Sequence, residues 1–268
     1  MTGDRRIVPD HLETGEGKPV VFIPGLEGAK EFWRPQWEGL ADAYRVVATS
    51  LPVWRPRLAS AVSDYAGCVI ALLDELGLER AVIVGESFGG AVTLEMALGR
   101  PERVAGIILC NTMDRPGRFG FGLNAFTLAT LAHQFAFLPF LSMRRRRSLL
   151  RWVGRHRGFV MDPSPGNDDL IEYLVAYGTA CGPAAYLDRA VAGAKARFTA
   201  RLREISVPAL VLRGEEDRLV VAEAAVQLAG RIPRAEIALV EGGGHCCTHT
   251  VSAASNRAMR EWLARIGY

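Results

Sequence analysis

The chain has 268 residues, of which 49% are hydrophobic and 23% charged, and this composition is typical of a soluble globular protein. Its net charge of +3 is too small to indicate a nucleic acid or another highly charged partner. No stretch reaches the roughly 18 consecutive apolar residues of a membrane-spanning helix, and the N-terminus lacks the apolar core of a signal peptide. The five cysteines, an odd number, favour free thiols in the cytoplasm over a disulfide framework.

Short runs rich in β-branched residues alternate with segments of helical periodicity. Each run is bounded by turn residues, as expected for strands that are buried on both faces. Strands are predicted at residues 19–23, 44–49, 81–85, 104–110, 208–213 and 235–240, and helices at 61–76, 90–99, 221–230 and 252–266. Such alternation is typical of βαβ units, so the sequence predicts an α/β fold with a mostly parallel central sheet flanked by helices.

The alternation is interrupted between residues 113 and 203, where helical periodicity prevails. Because the strand pattern then resumes, we interpret 113–203 as a helical cap inserted into one α/β core made of residues 1–112 and 204–268. The stretch from Phe119 to Leu141 is apolar and is expected to serve both the interior of the cap and a lid wall. The run from Arg144 to Arg147 could attract an anionic substrate or a membrane surface, but we favour the exposed side of a helix.

The most informative stretch is Gly85-Glu86-Ser87-Phe88-Gly89, which joins a predicted strand directly to a predicted helix. A turn this tight strains the serine backbone and exposes its side chain at the end of the strand, and the glycines fit where a Cβ would collide. The following helix presents free N–H groups to negative charge at Ser87. This G-x-S-x-G pattern between strand and helix resembles the nucleophile elbow of the α/β-hydrolases. Glu86 is assigned no role.

The resemblance implies a catalytic triad in the chain order serine, acid, histidine. A serine hydroxyl needs a base, and the base needs an orienting carboxylate. Asp217 follows the strand at 208–213, and His245 ends the glycine loop that follows the strand at 235–240. We therefore predict Ser87 as nucleophile, His245 as base and Asp217 as orienting acid.

Several residues are alternatives to this triad. Glu215, Glu216 and Asp114 could replace Asp217 as the acid, and His249 could replace His245, although we expect His249 to be a surface or helix-capping residue. The segment from His245 to His249 also contains Cys246 and Cys247, which are zinc-type ligands. Its spacing is poor for a structural site, so buried free thiols are favoured, and we predict no metal and no cofactor.

The resemblance also implies an oxyanion hole made of two backbone N–H groups. One belongs to Phe88, the residue after the nucleophile, and the other by position to Leu26, in the loop after the strand at 19–23. The family usually has His-Gly where this chain has Pro24-Gly25, which leaves the N–H donor intact but removes the histidine side chain. Trp33 and Trp54 follow the first two predicted strands and are candidates for the substrate pocket, or for packing beneath loops.

These features together predict an α/β-hydrolase fold with serine acyl chemistry. Dehalogenases and epoxide hydrolases of this fold use an aspartate nucleophile, whereas position 87 is serine. The leading expectation is hydrolysis of small to medium, apolar carboxylic esters by a cytoplasmic enzyme. The sequence is compatible with a homodimer. The alternatives are cleavage of a carbon–carbon bond or acyl transfer by the same triad, or a ligand-binding protein with little turnover.

Overall fold

A computed structural model describes residues 7–53, 60–117, 142–159, 161–178 and 181–268. Within these ranges seven strands form one sheet in the order β1-β3-β2-β4-β5-β6-β7. The strands are β1 (His11–Thr14), β2 (Pro19–Ile23), β3 (Arg45–Thr49), β4 (Ala81–Glu86), β5 (Val104–Cys110), β6 (Ala209–Gly214) and β7 (Ala235–Val240). Strand β1 is antiparallel to β3, and every other pairing is parallel. The predicted mostly parallel sheet is confirmed.

The two edge strands differ from the sequence-based expectation. Strand β1 is not predicted, because its four residues, HLET, mix polar and apolar side chains and are mostly half-buried. Strand β7 is predicted to be buried on both faces, and this is wrong: Ile237 and Leu239 are exposed. Both differences have one cause, since an edge strand has a neighbour on one side only and less cover from the flanking helices.

Helices cover both faces of the sheet. The ones outside the predicted cap are α1 (Arg34–Leu40), α2 (Val62–Glu75), α3 (Phe88–Gly99), α7 (Ala222–Arg231), α8 (Cys247–Thr250) and α9 (Ser252–Arg265). Helices α2, α3 and α7 pack on the face that contains Val21 and Ile83. Helices α1, α8 and α9 pack on the opposite face with Phe22 and Val84. Because strand side chains alternate between faces, the parallel strands from β2 to β6 are buried on both sides.

The described residues between β5 and β6 form three further helices, α4 (Met143–Arg157), α5 (Asp168–Tyr177) and α6 (Gly182–Lys195). We call them the helical insert. The apolar stretch from Phe119 to Leu141 lies outside the described residues. Arg144, Arg145 and Arg147 are exposed on α4, as expected for the solvent side of a helix. Among the helices that the structure describes, none combines the length and apolar character needed to cross a bilayer.

Candidate active site

The turn between β4 and α3 places Ser87 at the carboxyl end of the sheet. Ser87 has φ 52° and ψ −113°, a strained conformation for a residue with a side chain. Its N–H donates to the Cys110 carbonyl at 2.9 Å, and its own carbonyl accepts from the Thr112 hydroxyl at 2.7 Å. The end of β5 and the segment after it therefore hold the strained backbone from both sides.

The glycines of this turn are required by close packing. A Cβ at Gly85 would collide with the Gly89 carbonyl and the Thr93 hydroxyl, and one at Gly89 would collide with the backbone of Ile23. Both distances would be far shorter than van der Waals contact. The helix can begin directly behind Ser87 only because neither position carries a side chain.

Asp217 and His245 meet at the ends of β6 and β7. His245 Nδ1 lies 2.9 Å from Asp217 Oδ2, and both side chains are nearly inaccessible to solvent. The second carboxylate oxygen, Oδ1, accepts the N–H groups of Leu219 at 2.8 Å and Val220 at 2.9 Å. These bonds fix the carboxylate so that one oxygen faces the imidazole, which in turn fixes the ring and its tautomer.

Opposing effects set the proton affinity of His245. Burial lowers the pKa of the imidazole, but the charge and the hydrogen bond of Asp217 raise it above its usual value. The neighbouring carboxylate thus stabilises the protonated form of the imidazole. This is the electrostatic arrangement that a general base needs when it must hold a proton briefly.

Glu86, directly before Ser87, is a buried carboxyl that sequence reasoning left without a role. Its Oε2 accepts the Thr248 hydroxyl, and only 2% of its surface is exposed. Burial raises the pKa of Glu86 from 4.5 to about 8, although the charge of His245 opposes this shift. Glu86 is therefore mostly protonated at neutral pH.

Asn111, the first residue after β5, connects the strand ends. Its Nδ2 donates to the His245 carbonyl at 2.7 Å, and its Oδ1 accepts the Gly214 N–H at 2.9 Å. Its backbone N–H donates to the Leu212 carbonyl at 3.0 Å. Asn111 has φ 46°, a conformation that asparagine tolerates better than most residues. One buried amide thus joins the strand beside the serine to the acid strand and to the histidine loop.

The alternative acids occupy other positions. Asp114 is buried and accepts the Thr199 hydroxyl. Glu215 and Glu216 are exposed on the turn before Asp217, and their backbone N–H groups bond to Val240 and Gly243. It is Asp217 whose carboxylate bonds to His245 Nδ1.

The expectation that His249 is a surface or capping residue is wrong. His249 is buried in α8, where its Nδ1 lies 2.7 Å from the Phe32 carbonyl and its ring stacks on the Phe32 ring at 5.3 Å. Tyr173 of the helical insert packs against the same ring at 5.6 Å. A short helix (α8) precedes the final helix (α9) and turns His249 inward, and the sequence pattern did not predict this short helix.

Cys246 and Cys247 are buried free thiols. Burial raises the pKa of both thiols, which disfavours the thiolate that zinc requires. Among the described residues no group of three or more His, Cys, Asp or Glu is placed to hold a metal ion.

The two tryptophans proposed for the pocket have different outcomes. Trp33 has no exposed surface and packs against the rings of Phe22 at 5.0 Å and Phe32 at 5.2 Å, which favours the packing interpretation over a pocket wall. Trp54 lies outside the described residues.

The two residues proposed for the oxyanion hole follow neighbouring strands, β2 and β4. Phe88 begins α3, so its N–H has no acceptor within that helix. Leu26 follows β2, which pairs with β4, and the Gly25 position lies beside the Ser87 side chain. Sequence reasoning missed Arg189 of α6, which is completely buried and donates to the Leu26 carbonyl at 2.7 Å. An arginine in a helix gives no sequence signal for a backbone contact of this kind.

Comparisons with known proteins agree with this architecture. The 2-hydroxy-6-oxo-6-phenylhexa-2,4-dienoate hydrolase of Burkholderia cepacia is 27% identical over 95% of this chain and 91% of the relative. A protein of Variovorax paradoxus provisionally named carbamate hydrolase RutD is 29% identical over 97% of each chain. A thermophilic esterase from Thermogutta terrifontis superposes with a TM-score of 0.73 at 24% identity, covering 96% of this chain and 93% of its own.

The family assignment rests on a broader match. The model of the alpha/beta hydrolase family matches residues 20–257, which include every strand from β3 to β7 and all of the candidate site. The chain therefore belongs to the alpha/beta hydrolase family, and hydrolase activity is the coarse function that this membership supports.

Proposed function

We propose that this protein is a serine hydrolase that cleaves carboxylic esters of small to medium, apolar substrates through an acyl-enzyme. The observation that carries the proposal is the 2.9 Å contact between His245 Nδ1 and Asp217 Oδ2, at the same end of the sheet as Ser87. In a parallel sheet the carboxyl ends of neighbouring strands lie together, and Ser87, Asp217 and His245 follow β4, β6 and β7. A strained serine and an oriented imidazole are the parts that acyl transfer requires.

The proposed reaction has two halves. Ser87 Oγ attacks the ester carbonyl carbon while His245 Nε2 takes the hydroxyl proton. The tetrahedral intermediate collapses, the alcohol leaves with the proton from His245, and the acyl group stays on Ser87. Water then attacks the acyl-enzyme with His245 again as base, which releases the carboxylic acid and restores Ser87. Asp217 orients the imidazole throughout and stabilises the imidazolium.

The oxyanion of each tetrahedral intermediate would be bound by the backbone N–H groups of Leu26 and Phe88. The N–H of Phe88 also stands at the positive end of α3, which favours negative charge at this position. We propose in addition that residues 113–203, which include the helical insert, form a cap over the site and shape the substrate pocket.

A second candidate is hydrolysis of a carbon–carbon bond by the same residues. It is favoured by the Burkholderia cepacia relative, which matches 95% of this chain and cleaves a dienoate. The two reactions share Ser87 and His245 and differ in the leaving group, which is an alkoxide in one and a stabilised carbanion in the other. The choice of substrate therefore separates the two reactions experimentally.

The experiment that tests the proposal is a steady-state and burst assay with p-nitrophenyl esters from C2 to C12, beside a p-nitrophenyl carbamate and a 2-hydroxy-6-oxo-dienoate. Wild type is compared with Ser87→Ala and with Ser148→Ala, which removes an exposed serine hydroxyl on α4. We expect turnover with an optimum chain length, an activity of Ser148→Ala equal to wild type, and loss of activity in Ser87→Ala. Turnover of the dienoate alone would instead establish the second candidate, and ester turnover that survives in Ser87→Ala would overturn both.

A further inference from the structure

Arg189, on α6 of the helical insert, is completely buried and binds the loop that carries the proposed oxyanion donor. Its Nη1 donates to the carbonyls of Leu26 at 2.7 Å and Glu27 at 3.0 Å. Its Nη2 donates to the carbonyls of Leu51 at 3.1 Å and Pro52 at 3.3 Å. One guanidinium thus joins the loops after β2 and β3 to the insert, through four bonds to backbone oxygens.

The loop is built around this guanidinium. Gly28 has φ 73°, and a Cβ at this position would collide with the Arg189 Nη1 and Cζ atoms. The Gly28 carbonyl accepts the Leu51 N–H at 2.8 Å, so the two loops are also bonded directly to each other. A planar fork with five donors suits this position, whereas the ammonium of lysine is a single point.

These contacts determine the orientation of both peptide groups that flank Leu26. The Gly25 carbonyl accepts the Gly28 N–H at 3.1 Å, and because a trans peptide is planar, this bond directs the Leu26 N–H to the opposite side. The next peptide is held by Arg189 through the Leu26 carbonyl. If Arg189 were absent, the restraint on the Leu26 carbonyl would be lost, and the Leu26 N–H could turn away from the oxyanion.

The same helix also braces the residue that carries the other proposed donor. Asp188 accepts the Tyr65 hydroxyl at 2.9 Å, and the Tyr65 ring packs edge-on against Phe88 at 5.1 Å. Gly193 faces the Phe88 ring from α6, where a Cβ would approach within 3.2 Å. Helix α6 therefore contacts both halves of the proposed oxyanion hole.

We propose that Arg189 is a positioning residue that holds the Leu26 peptide in the geometry of the oxyanion hole and so couples the helical insert to catalysis. The inference rests on the proposed function. Arg189 touches neither the substrate nor the reacting atoms. Its loss should lower stabilisation of the transition state and leave binding of the ground-state ester and the His245–Asp217 pair unchanged.

The test compares Arg189→Met and Arg189→Lys with Arg197→Met, whose exposed guanidinium donates to two carbonyls of its own helix end, those of Ala194 and Ala196. For Arg189→Met we expect kcat on the best p-nitrophenyl ester to fall about 10- to 100-fold. Displacing an N–H donor of the oxyanion hole should reduce the rate by less than deleting that donor would. KM should change less than threefold and the acid limb of the pH profile should stay in place. Arg189→Lys should recover part of kcat, and Arg197→Met should match wild type.

Hydrogen exchange of the backbone amides from Leu26 to Gly28 gives a readout that needs no substrate. We expect faster exchange in this loop for both Arg189 variants and unchanged exchange in β4 to β6. A folded Arg189→Met variant with unchanged kcat or unchanged loop exchange would overturn the inference. A fall in kcat accompanied by faster exchange throughout the sheet would also overturn it, because this result indicates a general structural role. If Arg189→Met does not fold, the lysine variant is judged by the same criteria.

The two proposals fail in distinguishable ways. Absence of ester turnover in wild type would overturn the ester function, and the exchange of the loop would then still decide whether Arg189 holds it. Normal turnover in wild type with unaffected Arg189 variants would overturn only the role of Arg189.

Discussion

Replacing Glu86 with glutamine should stabilise the protein, and the gain should grow as the pH rises. The Glu86 carboxyl is 2% exposed, and burial raises its pKa from 4.5 to about 8 against the opposing charge of His245. The unfolded chain loses this proton near the usual pKa, whereas the folded protein keeps it until about pH 8. Between these two values the folded state binds more protons than the unfolded state, so the free energy of unfolding falls with rising pH.

The size of the effect follows from the two pKa values. They place a penalty of about 1 kcal/mol on folding at pH 5 and about 4 kcal/mol at pH 8, because each pKa unit corresponds to about 1.4 kcal/mol. Glutamine cannot ionise, but it keeps a side-chain oxygen for the Thr248 hydroxyl. The free energy of unfolding of Glu86→Gln relative to wild type should therefore increase by about 3 kcal/mol between pH 5 and pH 8, or roughly 6–12 °C in Tm.

Urea unfolding at pH 5, 6, 7 and 8 measures this difference directly. Glu223→Gln is the matched control, since Glu223 is exposed at the start of α7 and its substitution should give a difference that does not vary with pH. A Glu86→Gln curve that runs parallel to wild type over the whole range would refute the reasoning, because it would mean that Glu86 ionises in the folded protein as easily as in the unfolded chain.

Three further changes probe the site and its frame. Asp217→Asn should lower kcat/KM by roughly 10³- to 10⁴-fold and move the acid limb of the pH profile to lower pH, because Asp217 raises the pKa of His245; an unmoved limb would contradict this. Asn111→Gly keeps the left-handed backbone accessible but removes the buried amide hydrogen bonds, so it should lower the free energy of unfolding by about 2–3 kcal/mol. A loss below about 0.5 kcal/mol in urea titration would show that the amide is dispensable. Gly67→Ala, in the exposed middle of α2 with no atom within 4 Å of the added Cβ, should instead raise stability by about 0.5–1 kcal/mol, seen as a higher Tm.

The sequence predicted the sheet closely because its signals are local. Strands β2, β5 and β7 have the predicted bounds, β3 and β4 differ from prediction by one residue at one end, and β6 is shifted by one residue. Buried parallel strands need continuous apolar runs, and a tight strand–helix turn needs glycine where Gly85 and Gly89 stand. Asp217 and His245 could be singled out for the same reason, since each follows its own strand and shares the end of the sheet with Ser87.

What the sequence did not predict depends on contacts between distant parts of the chain. Arg189 and Leu26 are 163 residues apart, and the acceptor is a backbone carbonyl, which every residue possesses. No pattern of side chains can therefore reveal the bond. The burial of His249 depends likewise on Phe32 and Tyr173, which lie on other elements.

These contacts have a common physical effect, which is to restrain the loops at the carboxyl ends of the strands. Apolar packing is non-directional, so it does not by itself fix the direction of the peptide groups in the loops after β2, β6 and β7. Each is held instead by a buried polar side chain that bonds to its backbone. Arg189 holds the loop after β2, Asn111 the histidine loop, and Arg213 the acid loop through the carbonyls of Gly214 at 2.8 Å and Asp217 at 3.1 Å.

This arrangement separates the requirements of folding from those of catalysis. The apolar faces of the sheet and helices stabilise the core, whereas a few charged or amide side chains fix the positions of peptide groups to within hydrogen-bonding tolerance. A polar side chain in such a place is expensive to bury and stays satisfied only while its loop keeps one conformation. Because Arg189 and Asn111 are costly to bury without their partners, they restrain the loops that carry the proposed oxyanion donor and base. Such restraint supplies the precise positioning that the proposed acyl transfer requires.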